Sequence, residues 1–174
     1  MTISEIVLRL HAGEILAIKG IGGYHLACSA RDPNAVARLR ERKQRGSKPF
    51  AIMAANRDLA LAIVDLAPDA LKALESPARP IVLAPSRDGE LQASAAPGNR
   101  SLGVMLPYAP LHHLIFDAGA PDLLVMTSGN LTDEPICITQ AESEARLHMI
   151  ADAFVHHDRR IHVACDDSVV RALN

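Results

Sequence analysis

At 174 residues, with 49% hydrophobic and 22% charged side chains, the chain is long enough for one domain with its own core and too apolar to be disordered throughout. Aromatics make up only 3% and Trp is missing, which excludes an aromatic stacking platform for single-stranded nucleic acid and leaves the core to Ala, Leu, Ile and Val. The three cysteines are odd in number, far apart and without a C-x-x-C pair, and no apolar stretch of about 18 residues or signal peptide occurs; the expectation is a soluble, cytoplasmic protein without disulfides, zinc ribbon or membrane partner.

Thr2-x-x-Glu5 is a capping box in front of Ile3, Ile6, Val7 and Leu10, which repeat at helical spacing until Gly13 supplies a left-handed stop. Residues 14–19 read as a short buried strand, 20–23 (GIGG) as a tight turn and 24–28 as a second strand. Asp32-Pro33 opens a helix with Ala35, Val36 and Leu39 on its apolar side, and its end is a basic stretch. Residues 49–55 and 80–85 are predicted strands, with helices over 57–64 and 68–75 between them. The polar, small-residue stretch 86–100 is predicted as the longest loop, a surface excursion. A strand over 102–106, a helix over 110–116 and an apolar strand over 123–126 follow, the last running into Thr127-Ser128-Gly129-Asn130. Thr139-x-x-Glu142 is a second capping box for a helix to about 150, and 153–156 and 163–173 are the last predicted strands. Alternating helices and strands with some short strand-to-strand connections predict an α/β domain around one mixed sheet.

Residues 38–48 hold six of the 18 basic residues and a single acid, Glu41, so a local charge of +5 sits in a chain of net charge −2. Such a spot suits a local anion such as a phosphate; a solvated helix end, its cations complementing the helix dipole, is the plainer reading of the same residues. Lys43, Arg45 and Lys48 lie on a turn leading into a buried strand, from which an Arg fork and two point charges can converge on phosphate. Ser128 and Asn130, at a strand's C-terminal end, offer a hydroxyl and an amide for a nucleotide or acyl group, or cap their own loop. Gly20, Gly22 and Gly23 match neither a Walker A loop nor G-x-G-x-x-G. The adjacent pairs His112-His113 and His156-His157 cannot both face one ion from a regular element, so structural or surface roles are expected and no metal site. Asp166-Asp167 reads either as a Mg²⁺ holder beside a substrate phosphate or as an exposed acidic turn, and Cys165 as a buried thiol.

Five segments taken together, AIKGIGGYHLAC (17–28), RLRERKQRGSKPFAIM (38–53), SLGVMLPYAPLHHLIF (101–116), LVMTSGNLTDEPI (124–136) and CDDSVVR (165–171), resemble the YrdC-like domain of the HypF carbamoyltransferases of hydrogenase maturation. The resemblance runs in the family's order over nearly the whole chain. It implies a single domain over 1–174, a twisted mixed sheet flanked by helices, with a concave basic face. Lys43 and Arg45 match the family's K-x-R element, Lys48 the basic residue after it, and Ser128 and Asn130 its S-x-N element. Together these imply a nucleotide site, with Lys43 and Arg45 as its catalytic residues. The implied chemistry joins ATP, with Mg²⁺, to carbamate derived from carbamoyl phosphate, giving carbamoyl-adenylate. The implied partners are the acylphosphatase, zinc-finger and carbamoyl-transfer domains of HypF and the carbamoyl acceptor HypE. Threonylcarbamoyl-adenylate synthases of tRNA modification form the competing branch; they typically carry Arg where this chain has Met105 and Ser-Ala-Asn where it has Ser128-Gly129-Asn130. A basic concave face also leaves double-stranded RNA open as a partner. Ser29, Arg160 and Ala164 depart from the usual pattern, where Asp, Pro and a basic residue are common; none lies in the K-x-R or S-x-N elements.

Overall fold

The computed structural model describes residues 1–131 and 134–172. In chain order its elements are α1 (Ile3–His11), β1 (Leu16–Lys19), β2 (Tyr24–Ser29), α2 (Pro33–Arg42), β3 (Ala51–Ala54), α3 (Arg57–Ile63), α4 (Pro68–Glu75), β4 (Ile81–Pro85), α5 (Gly89–Ala95), β5 (Ser101–Met105), α6 (Pro110–Asp117), β6 (Leu123–Ser128), α7 (Gln140–Leu147), β7 (Ala153–Val155) and β8 (Val169–Val170). The strands form one mixed sheet in the order β7-β1-β2-β6-β3-β5-β4-β8, parallel at β7/β1, β3/β5 and β4/β8 and antiparallel elsewhere. The expected α/β class and mixed sheet are therefore present.

Period-two alternation gives each central strand two apolar faces, which is why their sequences run nearly continuously hydrophobic. Tyr24, Leu26, Cys28, Ile52, Ala54, Val104, Leu123 and Val125 point to one face, packed with residues of α2, α3, α4, α5 and α7. Leu16, Ile18, Ala27, Met53, Met105, Leu124 and Met126 point to the other, where α1 supplies Ile6 and Leu10 and α6 supplies Ile115. Helix starts follow local chemistry: Thr2 and Glu5 form the reciprocal capping box, and the Asp32 side chain accepts from the amides of Asn34 and Ala35 with Pro33 in the first turn.

Three expectations are corrected. Residues 86–100 are not a bare loop: Asp88 caps α5 by accepting from the Leu91 amide, and Leu91 and Ala95 are buried in the first-face core. With one large apolar residue among alanines, this helix has almost no periodic signal. The last strand shrinks from 163–173 to Val169–Val170, and Leu173 lies outside the described residues. The reason is topological: β7 and β8 lie on opposite edges, so 156–168 must cross seven strand-to-strand steps, about 34 Å at the usual spacing. Its 13 residues reach roughly 45 Å when fully extended, so it runs as an open strap over the second face instead of pairing. Finally, Cys165 is exposed on that strap rather than buried.

Candidate functional site

The ends of β6 and the starts of β2 and β3 meet at one end of the sheet, since His25 pairs with Ser128 and Ala51 with Met126. The turn after α2 is fed into the same place. Lys43, at the C-cap of α2, is 2% exposed and extends into the loop after β6. Its Nζ donates to the carbonyl of Ser128 (2.7 Å), the carbonyl of Asn130 (2.6 Å) and Asn130 Oδ1 (2.8 Å). Ser128 Oγ donates to the same Oδ1 at 2.8 Å, and Asn130 Nδ2 donates to the Glu134 carbonyl. Residues 85 and more apart in sequence thus share one hydrogen-bonded knot. Burial, then the nearby Arg45 and Lys48, pull the Lys43 pKa down to about 7.

Arg45 donates through Nε and Nη2 to the Pro49 carbonyl and lies over the Phe50 ring at 4.8 Å; its Nη1 makes no hydrogen bond among the described residues. Burial, then Arg40, lowers its pKa to about 10. Lys48 is exposed on the same turn. Of the five residues expected at the site, the fold ties Lys43, Ser128 and Asn130 directly to one another and sets Arg45 and Lys48 within electrostatic reach of Lys43. Sequence reasoning missed Arg40. This guanidinium donates to the carbonyls of Gly46, Lys48, Ser94 and Ala95 and covers Phe50 at 4.5 Å, binding the basic turn to α5. Among six cations in one stretch, nothing local marks it.

A second polar cluster adjoins the first. His25, on β2 beside Ser128, is 4% exposed, and its Nε2 lies 3.0 Å from Asp167 Oδ2 and 3.4 Å from the Tyr108 hydroxyl. His112, 1% exposed, meets the Tyr108 ring edge-on at 4.7 Å. Burial, then the neighbouring His25, drives its pKa down to about 3, so it is neutral at physiological pH. Burial raises the Asp167 pKa, but hydrogen bonds with His25 and Tyr108 outweigh it and leave the carboxyl below its ordinary range. The Tyr108 hydroxyl is pushed up by burial and then by Asp167. Asp167 is therefore partly buried rather than an exposed turn residue, and no group of three or more His, Cys, Asp or Glu able to hold an ion occurs among the described residues. Asp166 is exposed and within electrostatic reach of Lys43.

The profile of the Sua5/YciO/YrdC family, described as telomere recombination, matches residues 9–174. The chain belongs to the Sua5/YciO/YrdC family. It is 57% identical over 163 residues to the carbamoyltransferase HypF of Rhodobacter capsulatus and 50% identical over 185 residues to HypF2 of Cupriavidus necator, covering 94% and 97% of this chain. It spans only 22% and 23% of those relatives' lengths. A crystal structure of full-length HypF in its phosphate- and nucleotide-bound form superposes with a TM-score of 0.93 at 43% identity, over 97% of this chain and 27% of that one. Sua5 of P. abyssi complexed with L-threonine has a TM-score of 0.85 at 16% identity, over 98% of this chain and 50% of that one, a likeness of fold alone. Within the Sua5/YciO/YrdC family the chain thus stands with the HypF sequences. The S-x-N loop has a steric counterpart to that placement. A Cβ added to Gly129 would lie 2.6 Å from the Tyr24 carbonyl oxygen, which accepts the Gly129 amide, so the Ala of a Ser-Ala-Asn loop does not fit this backbone. Met105, where the synthase branch typically has Arg, is fully buried in the second-face core.

Proposed function

We propose that this chain binds ATP at the end of the sheet formed by β2, β3 and β6, and joins its adenylyl group to carbamate as the activating step of a carbamoyltransferase. The observation that carries the reading is the Lys43–Asn130–Ser128 knot beside Arg45 and Lys48, because it unites the two elements that the resemblance assigns to the nucleotide. A carbamate oxygen attacks the α-phosphorus, the new P–O bond forms as the bond to the pyrophosphate oxygen breaks, and pyrophosphate leaves with that electron pair. Arg45, whose Nη1 makes no hydrogen bond among the described residues, and Lys48 neutralise charge on the phosphates, while Lys43 holds the loop that carries Ser128 and Asn130 against the adenylate. Mg²⁺ accompanies the triphosphate as part of the substrate, a role that asks for one or two protein carboxylates; the exposed Asp166, within electrostatic reach of Lys43, could supply one. The likeness to HypF supports carbamate as the acyl substrate, and the remaining HypF domains and HypE as partners, the acylphosphatase domain supplying carbamate and the carbamoyl-transfer domain and HypE taking the product.

Isothermal titration of ATP into the chain and its Lys43→Ala and Ser128→Ala variants tests the site. Affinity should fall at least tenfold in both, given about 1.5–3 kcal/mol for a charge-assisted bond. Parental affinity in both variants would show that the nucleotide binds elsewhere. Release of pyrophosphate that depends on carbamate made in situ from ammonia and bicarbonate, and not on threonine with bicarbonate, tests the acyl substrate.

A further inference from the structure

The turn that carries Arg45 and Lys48 is fastened from outside itself. Gln44 and Gly46 both take positive φ, 50° and 56°, a region that residues other than glycine seldom adopt. A Cβ added to Gly46 would meet nothing within 4 Å, so no neighbour packs against the tip of the turn there. The fastening comes from Arg40, in the last turn of α2. Its Nη1 donates to the carbonyls of Gly46 (2.8 Å) and Lys48 (2.9 Å), and its Nη2 to those of Ser94 (3.1 Å) and Ala95 (3.0 Å) at the end of α5. The Ala95 carbonyl also accepts the Phe50 amide at 2.8 Å, and the buried Phe50 ring is shared by two guanidiniums, Arg40 at 4.5 Å and Arg45 at 4.8 Å from its centre. The Lys48 carbonyl is shared as well, since Arg45 Nε donates to it at 3.3 Å. Arg40 and Arg45 are thus joined twice, through one ring and one carbonyl.

The count of donors separates the roles of the two arginines. Each Nη of a guanidinium carries two hydrogens, and the four on Arg40 have four carbonyl acceptors, so only its Nε makes no hydrogen bond among the described residues. Arg45 spends Nε and Nη2 on the Lys48 and Pro49 carbonyls and keeps Nη1. The arginine–carboxylate pairs among the described residues involve neither of them. Two cations over one ring repel each other, and an anion taken up by Arg45 relieves that repulsion. We propose that Arg40 is a positioning residue for the phosphates: it holds the turn and the Arg45 guanidinium in their binding arrangement through Phe50 and the Lys48 carbonyl, without touching the nucleotide. This rests on the adenylation reading above and adds to it the residue that sets one of its cations. A lysine at position 40 would not replace it, because a single ammonium has three donors on one atom and no planar fork to span the turn and the end of α5 together.

The test is a double-mutant cycle read by isothermal titration of ATP into the parent, Arg45→Ala, Arg40→Ala, Arg40→Lys and the Arg40→Ala/Arg45→Ala pair, at a temperature where thermal melting shows each to be folded. Arg45→Ala and Arg40→Ala should each lower ATP affinity about tenfold, the loss of one charge-assisted bond. Arg40→Lys should fall nearly as far, and it keeps the test readable if Arg40→Ala does not fold. In the Arg45→Ala background, Arg40→Ala should cost no more than about twofold further in affinity, while it lowers the melting temperature in both backgrounds. A merely structural role would lower the melting temperature of Arg40→Ala and leave its ATP affinity at the parent's, which overturns the proposal. Losses that multiply in the double variant overturn it too, since Arg40 would then act on the nucleotide independently of Arg45, and so does parental affinity in Arg40→Lys, which would make charge rather than the fork the cause. If the parent binds no ATP, or Arg45→Ala binds it as the parent does, the nucleotide site itself is misplaced and this inference falls with it.

Discussion

The two faces of the sheet are built from the same strands and do different work. On the first, five helices close over a largely apolar layer; on the second, two helices cover only part, and the remainder carries His25, Ser128 and the strap. Because side chains alternate along a strand, a single residue step moves from one regime to the other. Leu26 is fully buried in the first-face core, and His25 next to it faces Asp167. The first face fixes the strands rigidly enough that the second can bear polar groups, which by themselves stabilise little.

The largest expected effect breaks this pairing of neighbours. Leu26→Ala should cost about 2–5 kcal/mol through lost burial and the residual cavity. His25→Ala should cost less, since the partners its buried ring leaves behind, the Tyr108 hydroxyl and Asp167, bond each other, and Asp167 is 23% exposed and can be rehydrated. Urea unfolding of the two variants checks this; equal losses would mean that the polar face is a structural core as well.

Gly129→Ala sharpens the comparison at the seam between the faces. The added methyl meets the Tyr24 carbonyl oxygen at 2.6 Å and its Cβ at 2.7 Å, atoms of a central strand that cannot yield. The loop must move instead, breaking the Gly129 amide's bond to Tyr24 and loosening the Lys43 knot. Stability should fall by about 1–3 kcal/mol, as for overpacking, and ATP affinity should fall with it. A variant that loses stability but binds ATP normally would show that the loop's position does not matter for the nucleotide.

The first face was far more legible in the sequence than the second. Its helices announce themselves by caps and by apolar spacing, as at Asp32-Pro33 with Ala35, Val36 and Leu39, and its strands by apolar runs; α5 escaped because alanines carry no period. Lys43, Ser128 and Asn130 were legible as donors at element ends, but their mutual bonds are long-range and had no local signature. His25, Tyr108, His112 and Asp167 come from three separate stretches of chain, brought together by a strap whose path is set by strand order. Cys165 was misjudged for the same reason: exposure on the strap depends on where β7 and β8 end up, not on neighbours in sequence.

The smallest effect, and the one that most finely separates the faces, is the pH dependence that Lys43 contributes. Its pKa falls from the ordinary 10.5 to about 7 on folding, through burial first and then Arg45 and Lys48. Between those two values the unfolded chain binds more protons than the native one, so stability rises with pH across this window; below about 7 both states hold the proton and the cost of burying the charge is constant. Three acceptors at 2.6–2.8 Å among the described residues oppose the loss of the proton. The slope should therefore stay below about 1.4 kcal/mol per pH unit, the value for one whole proton. Nucleotide binding should run the other way, because as Lys43 loses its charge above pH 7 it holds the loop that carries Ser128 and Asn130 less firmly. Unfolding free energies and ATP affinities of the parent and Lys43→Met, measured from pH 6.5 to 9.5, give both curves. The parent-minus-variant stability difference should climb with pH while the parent's advantage in ATP affinity shrinks. A flat stability difference would mean that the knot keeps its proton throughout, and that the turn, the loop and the sheet behind them hold Lys43 as a permanent cation.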